Sequence, residues 1–175
     1  MQNPHPLLVH FPIAFLTAFA VSALLLLVLP RPGLERFARA SLFLGTAAAA
    51  VTVISGFFAE QTVAPVRAAS EAIGEHRFLA YGTLLLAAAL SALAVIAPRH
   101  PAQAGRFRVA QGVGALGLLV LLVLTGREGG ELVHEYGVGT ALTAPGGPAY
   151  DKDAPKSAAP RATDDAPAPT GKDFR

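Results

Sequence analysis

Four long runs of apolar residues divide the chain. They cover residues 7–29, 40–59, 78–97 and 109–125, and none of them contains Asp, Glu, Lys or Arg. A helix of about 20 apolar residues spans the hydrocarbon core of a bilayer, which is about 30 Å thick. Helices of a soluble bundle would each need a polar stripe, and these runs have none. The pattern therefore predicts four transmembrane helices.

The connections between these runs contain residues that end helices. Pro30 and Pro32 follow the first run, and Pro98 and Pro101 follow the third. Proline has no backbone N–H to donate in a continuing helix, so the runs end there. Short connections make consecutive helices antiparallel neighbours, and small residues at four-residue steps in the second and fourth runs favour close contact. We predict an all-α fold, a four-helix up-down membrane bundle over residues 1–140.

Residues 141–175 differ in composition from the rest of the chain. They contain six prolines together with many Ala, Asp and Lys residues, and Tyr150 and Phe174 are their only aromatic residues. Such a segment cannot bury enough apolar area to offset the entropy lost on ordering. We predict a disordered C-terminal tail.

Charged residues are distributed unevenly between the two ends of the predicted bundle. The arginine end, residues 30–39 and 98–108, carries six arginines and one acid, Glu35. The histidine end, residues 1–6, 60–77 and those after Thr125, carries three arginines and six glutamates before the tail. Basic residues in short loops favour the cytoplasmic side. We therefore predict a multi-pass protein of the bacterial inner membrane, with both termini in the periplasm.

The overall composition narrows the possible chemistry. The net charge is +2, 15% of the residues are charged, and there is no cysteine. The absence of cysteine excludes disulfides, thiolate metal sites and cysteine nucleophiles, and the small, scattered charge does not favour a nucleic-acid partner. The chain has no His-Glu-x-x-His, Gly-x-Ser-x-Gly or phosphate-binding Gly-x-x-x-x-Gly-Lys motif. Nothing in the sequence supports an enzyme activity, and the one partner it predicts directly is the lipid bilayer.

Four of the five histidines lie at the histidine end or next to it: His5, His76 and His134 belong to it, and His10 follows it in the first run. His10 lies about one turn inside the first run, and His76 lies two residues before the third, so both are within about 5 Å of the same membrane surface. Both histidines stand at the outer end of a helix face that has few bulky side chains. Such a face leaves room for a flat cofactor or for close contact between helices. An ionisable residue inside a span is a functional candidate. His5 precedes a proline and is predicted to be incidental.

The chemistry that suits these residues is cofactor binding. Two histidines that face each other across helices can hold haem iron, whereas His mixed with carboxylates suits zinc, copper or non-haem iron. We predict His10 and His76 as cofactor ligands, joined by His134 and Glu131 if the cofactor is a metal ion. The cofactor is then haem b or a divalent metal.

Two segments resemble the motifs of a known family. They read HPLLVHFPI, from His5 to Ile13, and GGELVHEYGVG, from Gly129 to Gly139. The chain resembles, over residues 3–140, a family of small bacterial inner-membrane proteins classed as a domain of unknown function, family 2231. The resemblance implies a four-helix membrane domain without an established activity, a link to redox or cytochrome-type systems, and His10 and His76 as family-marking positions.

The glycine-rich segment after the fourth run departs from the family pattern at one position. Relatives place His directly before Gly-Val-Gly, where this chain has Tyr136, and its own histidine stands two residues earlier at His134. Glycine allows a backbone path with positive φ. We expect the segment after Thr125 to fold Leu132, Val133 and Tyr136 back over the end of the bundle, which would bring His134 near His10 and His76.

These observations leave three functions open. The first is a haem- or metal-binding protein that transfers electrons with a respiratory or redox membrane partner. The second is a non-catalytic membrane anchor or assembly module for a partner protein. The third, a transporter, has less support because the middle of each run lacks the polar or broken segments of transporters, although a homo-oligomer could line a pore between subunits.

Overall fold

The computed structural model describes residues 4–62 and 69–138, which form helices and connecting turns and contain no strand. Their order along the chain is α1 (His5–Leu8), α2 (His10–Val28), α3 (Pro32–Thr62), α4 (Ser70–Ile96), two 3₁₀ turns (Ala97–Arg99 and Pro101–Gln103) and α5 (Ala104–His134). The predicted tail, residues 141–175, lies outside the described residues.

The long helices form a ring in which α2 packs against α3, α3 against α4, α4 against α5 and α5 against α2. The short helix α1 packs on α3. Four stretches of the described chain are long and apolar enough to cross a membrane. The prediction of an all-α, four-helix membrane bundle is confirmed.

The helices extend beyond the predicted spans. α3 begins at Pro32 rather than residue 40, and α5 covers Ala104–His134 rather than 109–125. Hydropathy marks the part of a helix that suits lipid, whereas the helix itself continues through charged residues with good helix propensity. Pro32 takes the first helical position of α3, where its missing N–H costs least.

The interior of the bundle combines a few large side chains with many small ones. Leu16, Phe19, Leu42 and Leu118 are fully buried, and alanines fill much of the remaining core. Large apolar side chains on the outside are exposed, among them Leu85 at 70%. A soluble protein rarely exposes so much contiguous apolar surface, so this outer surface fits contact with lipid.

Glycines on α3 and α5 allow close contact with neighbouring helices, as the small residues of these runs predict. A Cβ at Gly45 would lie 2.6 Å from Leu16 Cδ2, and a Cβ at Gly112 would lie 3.0 Å from Leu27 Cδ1. Leu16 and Leu27 both belong to α2, so a leucine of α2 packs against a glycine of α3 and another packs against a glycine of α5. In lipid, such packing replaces the hydrophobic effect as a reason for helices to associate.

Polar contacts join the helices at three levels. Thr46 and Ser91 hydroxyls are 2.9 Å apart between α3 and α4, and Gln111 Nε2 of α5 donates to the Leu90 carbonyl at 3.2 Å. At the arginine end, Arg108 of α5 forms a salt bridge of 2.9 Å with Glu35 of α3. The first two contacts satisfy polar atoms that would otherwise be costly in lipid.

The glycine-rich segment does not follow the expected path. Gly126, Gly129 and Gly130 continue α5 as a helix, and Gly137 is the one residue with positive φ, 63°, in the described chain. The expectation of an irregular path directly after Thr125 was wrong, because glycine permits such a path without requiring it. The turn comes later, where the Val138 N–H donates to the Leu132 carbonyl at 2.8 Å.

This turn covers the start of α4. Leu132 is buried with Ala69 and Ala72, and Tyr136 and Val138 pack against the same small cluster. Tyr136 packs back onto the bundle as expected, whereas Leu132 reaches this cluster from within α5 without folding back. The side chains of Val133 and His134 are exposed.

Gly137→Ala is expected to lower the stability of the protein by about 1 kcal/mol, because an L side chain in the left-handed region costs roughly 1–2 kcal/mol. Gly126→Ala is the matched control: its backbone is helical and a Cβ added there would have nothing within 4 Å, so helix propensity predicts a small gain. Thermal unfolding, followed by the circular dichroism of the helices, measures both. Equal shifts of the two variants would contradict the role of the Gly137 turn.

Candidate cofactor site at the histidine end

The His5 ring is held against α3 by a hydrogen bond and by a glycine. His5 Nδ1 lies 2.9 Å from Ser55 Oγ, and the Ser55 hydroxyl donates to the Thr52 carbonyl at 2.8 Å. The Ser55 oxygen is therefore left to accept from the His5 ring, which also forms a hydrogen bond with the backbone of Thr52. A Cβ at Gly56 would lie 3.0 Å from His5 Cε1, so the ring needs glycine there.

The His76 ring is held in the same way against α5. Its Nδ1 donates to the Thr125 carbonyl at 3.1 Å. A carbonyl only accepts, so the neutral ring has its lone pair on Nε2. A Cβ at Gly129 would lie 3.1 Å from His76 Cε1. Closer to the middle of the bundle, the Thr83 and Thr125 hydroxyls are 3.2 Å apart and join α4 to α5.

The two histidine positions are built alike. Each imidazole donates Nδ1–H to an oxygen of the neighbouring helix, 50 residues further along for His5 and 49 for His76. Each also lies against a glycine of that helix, Gly56 or Gly129. The two rings are close enough to interact electrostatically. The structure thus places two half-buried imidazoles with fixed orientation at one end of the bundle.

His10 does not share this arrangement. Its side chain is exposed, and its Nδ1 contacts the Leu7 carbonyl of its own N-terminal segment at 3.3 Å. Five residues separate His5 from His10, which is about 140° around a helix, so the two rings cannot face the same neighbour. His5, in contrast, interacts electrostatically with His76.

The ring of His5, which the sequence predicts to be incidental, is bonded to α3. One signal in the sequence could have pointed to it. Pro4 and Pro6 flank His5, and proline favours the first turn of a helix, so the segment was not an unstructured start. The partner Ser55 is too distant along the chain for any local pattern to reveal.

The other predicted ligands lie further out. His134 is the last residue of α5 and is exposed, and Glu131 is half-buried. His134 follows Gly129 by five residues and therefore lies about 7.5 Å beyond the level of His76 along the helix axis. Within residues 4–62 and 69–138, no three His, Asp or Glu side chains stand together as a metal-binding group.

Carboxylates surround the outer side of His76. Glu128 of α5 interacts electrostatically with the His76 ring. An open groove beside Glu128 has both acidic and apolar lining residues: Glu71, Gly74, Glu75, Phe78, Leu79 and Glu128. On the neighbouring surface, Arg77 of α4 pairs with Glu60 of α3 at 3.3 Å. The site is therefore bordered by negative charge and open to water on one side.

Comparison with known proteins gives one match. The model of a family described as a predicted membrane protein (DUF2231) matches residues 2–142. No curated protein and no solved structure matches the chain.

Proposed function

The chain belongs to the DUF2231 family of predicted membrane proteins, and we propose that it binds haem b between the imidazoles of His5 and His76 and transfers electrons at the periplasmic surface of the bacterial inner membrane. The observation that carries this proposal is the pair of like-built histidine positions at one end of the bundle. A neutral imidazole has one donor and one acceptor nitrogen, and two oriented rings that interact with each other suit a shared ligand.

The donor set favours haem over a metal ion held by protein ligands alone. Haem iron takes two axial ligands from the protein, and His5 and His76 supply that number. A structural or catalytic zinc site takes three or four protein ligands, and the described residues offer no such group. After Leu79, the helix face of His76 carries only the small residues Ala80, Thr83 and Ala87.

The residues around the two rings have defined tasks in this proposal. The Thr125 carbonyl holds Nδ1–H of His76, which fixes the tautomer that presents Nε2 and increases the basicity of that nitrogen. The Ser55 hydroxyl and the Thr52 backbone hold the His5 ring against α3. Gly56 and Gly129 set the distance of each ring from its supporting helix. Haem, when bound, supplies one-electron exchange between ferric and ferrous iron. The groove beside Glu128 gives a redox partner access from the aqueous side.

The orientation in the membrane is part of the proposal and can be tested separately. The arginine end faces the cytoplasm by the positive-inside rule. Because the chain has no cysteine, single cysteines report cleanly: Gln61→Cys at the histidine end and Gln103→Cys at the arginine end replace two exposed glutamines. A membrane-impermeant maleimide added to intact spheroplasts is expected to label position 61 and not position 103. The reverse labelling would contradict this orientation.

The haem content of the protein tests the proposal directly. The full chain is purified in a mild detergent from cells supplied with haem precursor, and a pyridine haemochrome assay and metal analysis are carried out on the same sample. We expect about one haem b per chain, as two axial histidines hold one iron. Protein that contains neither haem nor stoichiometric metal, and takes up no added hemin, would refute the proposal and favour the anchor or assembly function.

A further inference from the structure

The arginine end carries more positive charge than its own carboxylates can balance. The salt bridge between Arg108 and Glu35 uses its one acid. The remaining arginines are exposed and have no carboxylate partner among the described contacts; they are Arg31, Arg36, Arg39, Arg99 and Arg106. The described chain contains no lysine, so all of this charge is on guanidinium groups, which bind phosphate in a bidentate manner.

Two of these arginines stand on the same helix face as the salt bridge. Arg31, Glu35 and Arg39 follow one another at four-residue steps, so they lie on one face of α3. The Glu35 N–H donates to the Arg31 carbonyl at 3.0 Å, which places Arg31 at the start of that helical turn. Glu35 is bonded to Arg108 of α5 at 2.9 Å. One face of α3 therefore carries two arginines on either side of the carboxylate that binds Arg108.

The same face leads from the charged end into the apolar surface. Arg39 lies about 12 Å further along the helix axis than Arg31, and one turn beyond it is Phe43, whose side chain is 38% exposed. A free phosphate would use the arginines alone. A phospholipid has a phosphate for the arginines and acyl chains for the apolar surface below them, so the face matches both parts of one molecule.

We propose that this face, defined by Arg31, Arg39 and the Glu35–Arg108 salt bridge, binds the headgroup of an anionic phospholipid. Basic residues near the membrane surface each contribute about fivefold to the affinity for anionic lipid. With Arg108 compensated by Glu35, the two uncompensated guanidinium groups of Arg31 and Arg39 provide the net attraction. The site is independent of the histidine end, so its test does not depend on haem.

Arg106 provides a matched control for a specific site. It is exposed, it belongs to the same membrane surface, and it lies about 200° around α5 from Arg108. Arg106→Gln removes one charge from the arginine end without touching the proposed face. If lipid binding were only a general attraction of positive charge to a negative surface, Arg106→Gln would lower the affinity for the lipid as much as Arg31→Gln or Arg39→Gln.

Lipid binding is measured by native mass spectrometry of the full chain released from detergent micelles, with phosphatidylglycerol, phosphatidylcholine or inorganic phosphate added. We expect phosphatidylglycerol to bind the native chain and the Arg106→Gln variant with similar affinity, because this change does not reach the site. The double variant Arg31→Gln/Arg39→Gln is expected to bind about 30-fold more weakly. Phosphatidylcholine and inorganic phosphate are expected to bind no variant with comparable affinity.

A variant that is expected to increase lipid affinity provides a second test if the double variant folds poorly. Glu35→Gln releases Arg108 from its salt bridge and is expected to increase the affinity for phosphatidylglycerol about fivefold. The proposal is overturned if Arg106→Gln weakens binding as much as each single change on the face, if Glu35→Gln leaves the affinity unchanged, or if inorganic phosphate binds as tightly as the lipid.

Discussion

His76→Ala is expected to abolish the haem absorbance of the purified protein, whereas His10→Ala is expected to retain it. His76 is half-buried and its Nδ1–H is fixed by the Thr125 carbonyl at 3.1 Å. The His10 ring is exposed and contacts only the nearby Leu7 carbonyl among the described hydrogen bonds. Reduced-minus-oxidised spectra of the variants, purified in parallel, measure the effect.

His5→Ala is expected to change the spectrum as strongly as His76→Ala, because the proposal assigns one axial position to each ring. His10→Ala serves as the control for the loss of a histidine from the same N-terminal segment. If His10→Ala removes the haem and His5→Ala does not, the pairing of His10 with His76 that the sequence favours is right and the pairing that the structure favours is wrong. Circular dichroism of each variant separates a lost cofactor from a lost fold.

The second large effect concerns the contact between α2 and α3. Gly45→Val is expected to destabilise the protein by about 3 kcal/mol, the upper part of the range for overpacked cores. A Cβ there would lie 2.6 Å from Leu16 Cδ2 and 3.1 Å from the Leu16 backbone nitrogen. Leu16 is fully buried, so neither the side chain nor the helix can move aside cheaply.

Gly105→Val is the matched control for this substitution. Gly105 also lies in a helix, and a Cβ added there would have nothing within 4 Å, so the change is expected to be neutral or slightly stabilising. Thermal unfolding of both variants in the same detergent, followed by circular dichroism, measures the difference. If the two variants unfold at the same temperature, α2 and α3 do not pack through Gly45.

The fold was predictable because the bilayer constrains it so strongly. A span needs a long apolar helix, so four uncharged runs are sufficient to predict four helices and their alternating direction. The ends of the helices were not predictable from hydropathy. α5 continues past Thr125 through three glycines to His134, where the fold is decided by packing of Leu132 against Ala69 and Ala72.

The candidate site was predictable only in part. The position of His76 before the third run placed it at the membrane surface, and its neighbour Gly129 lies in a segment that the sequence singled out. The choice between His5 and His10 depends on how α1 and α2 are rotated about their axes. The apolar runs do not reveal this rotation, because all sides of these helices are apolar. The hydrogen bond between His5 and Ser55 joins residues 50 positions apart and becomes visible only in three dimensions.

The electron paramagnetic resonance spectrum of the oxidised, full-length protein at low temperature tests the central proposal most directly, because it reports the two axial ligands of a haem iron. If His5 and His76 both bind the iron, the spectrum is expected to show a low-spin ferric signal typical of two imidazole ligands, and either alanine variant is expected to lose it. A haem signal that is unchanged in both variants, or the absence of any haem signal from hemin-treated protein, would contradict the proposal.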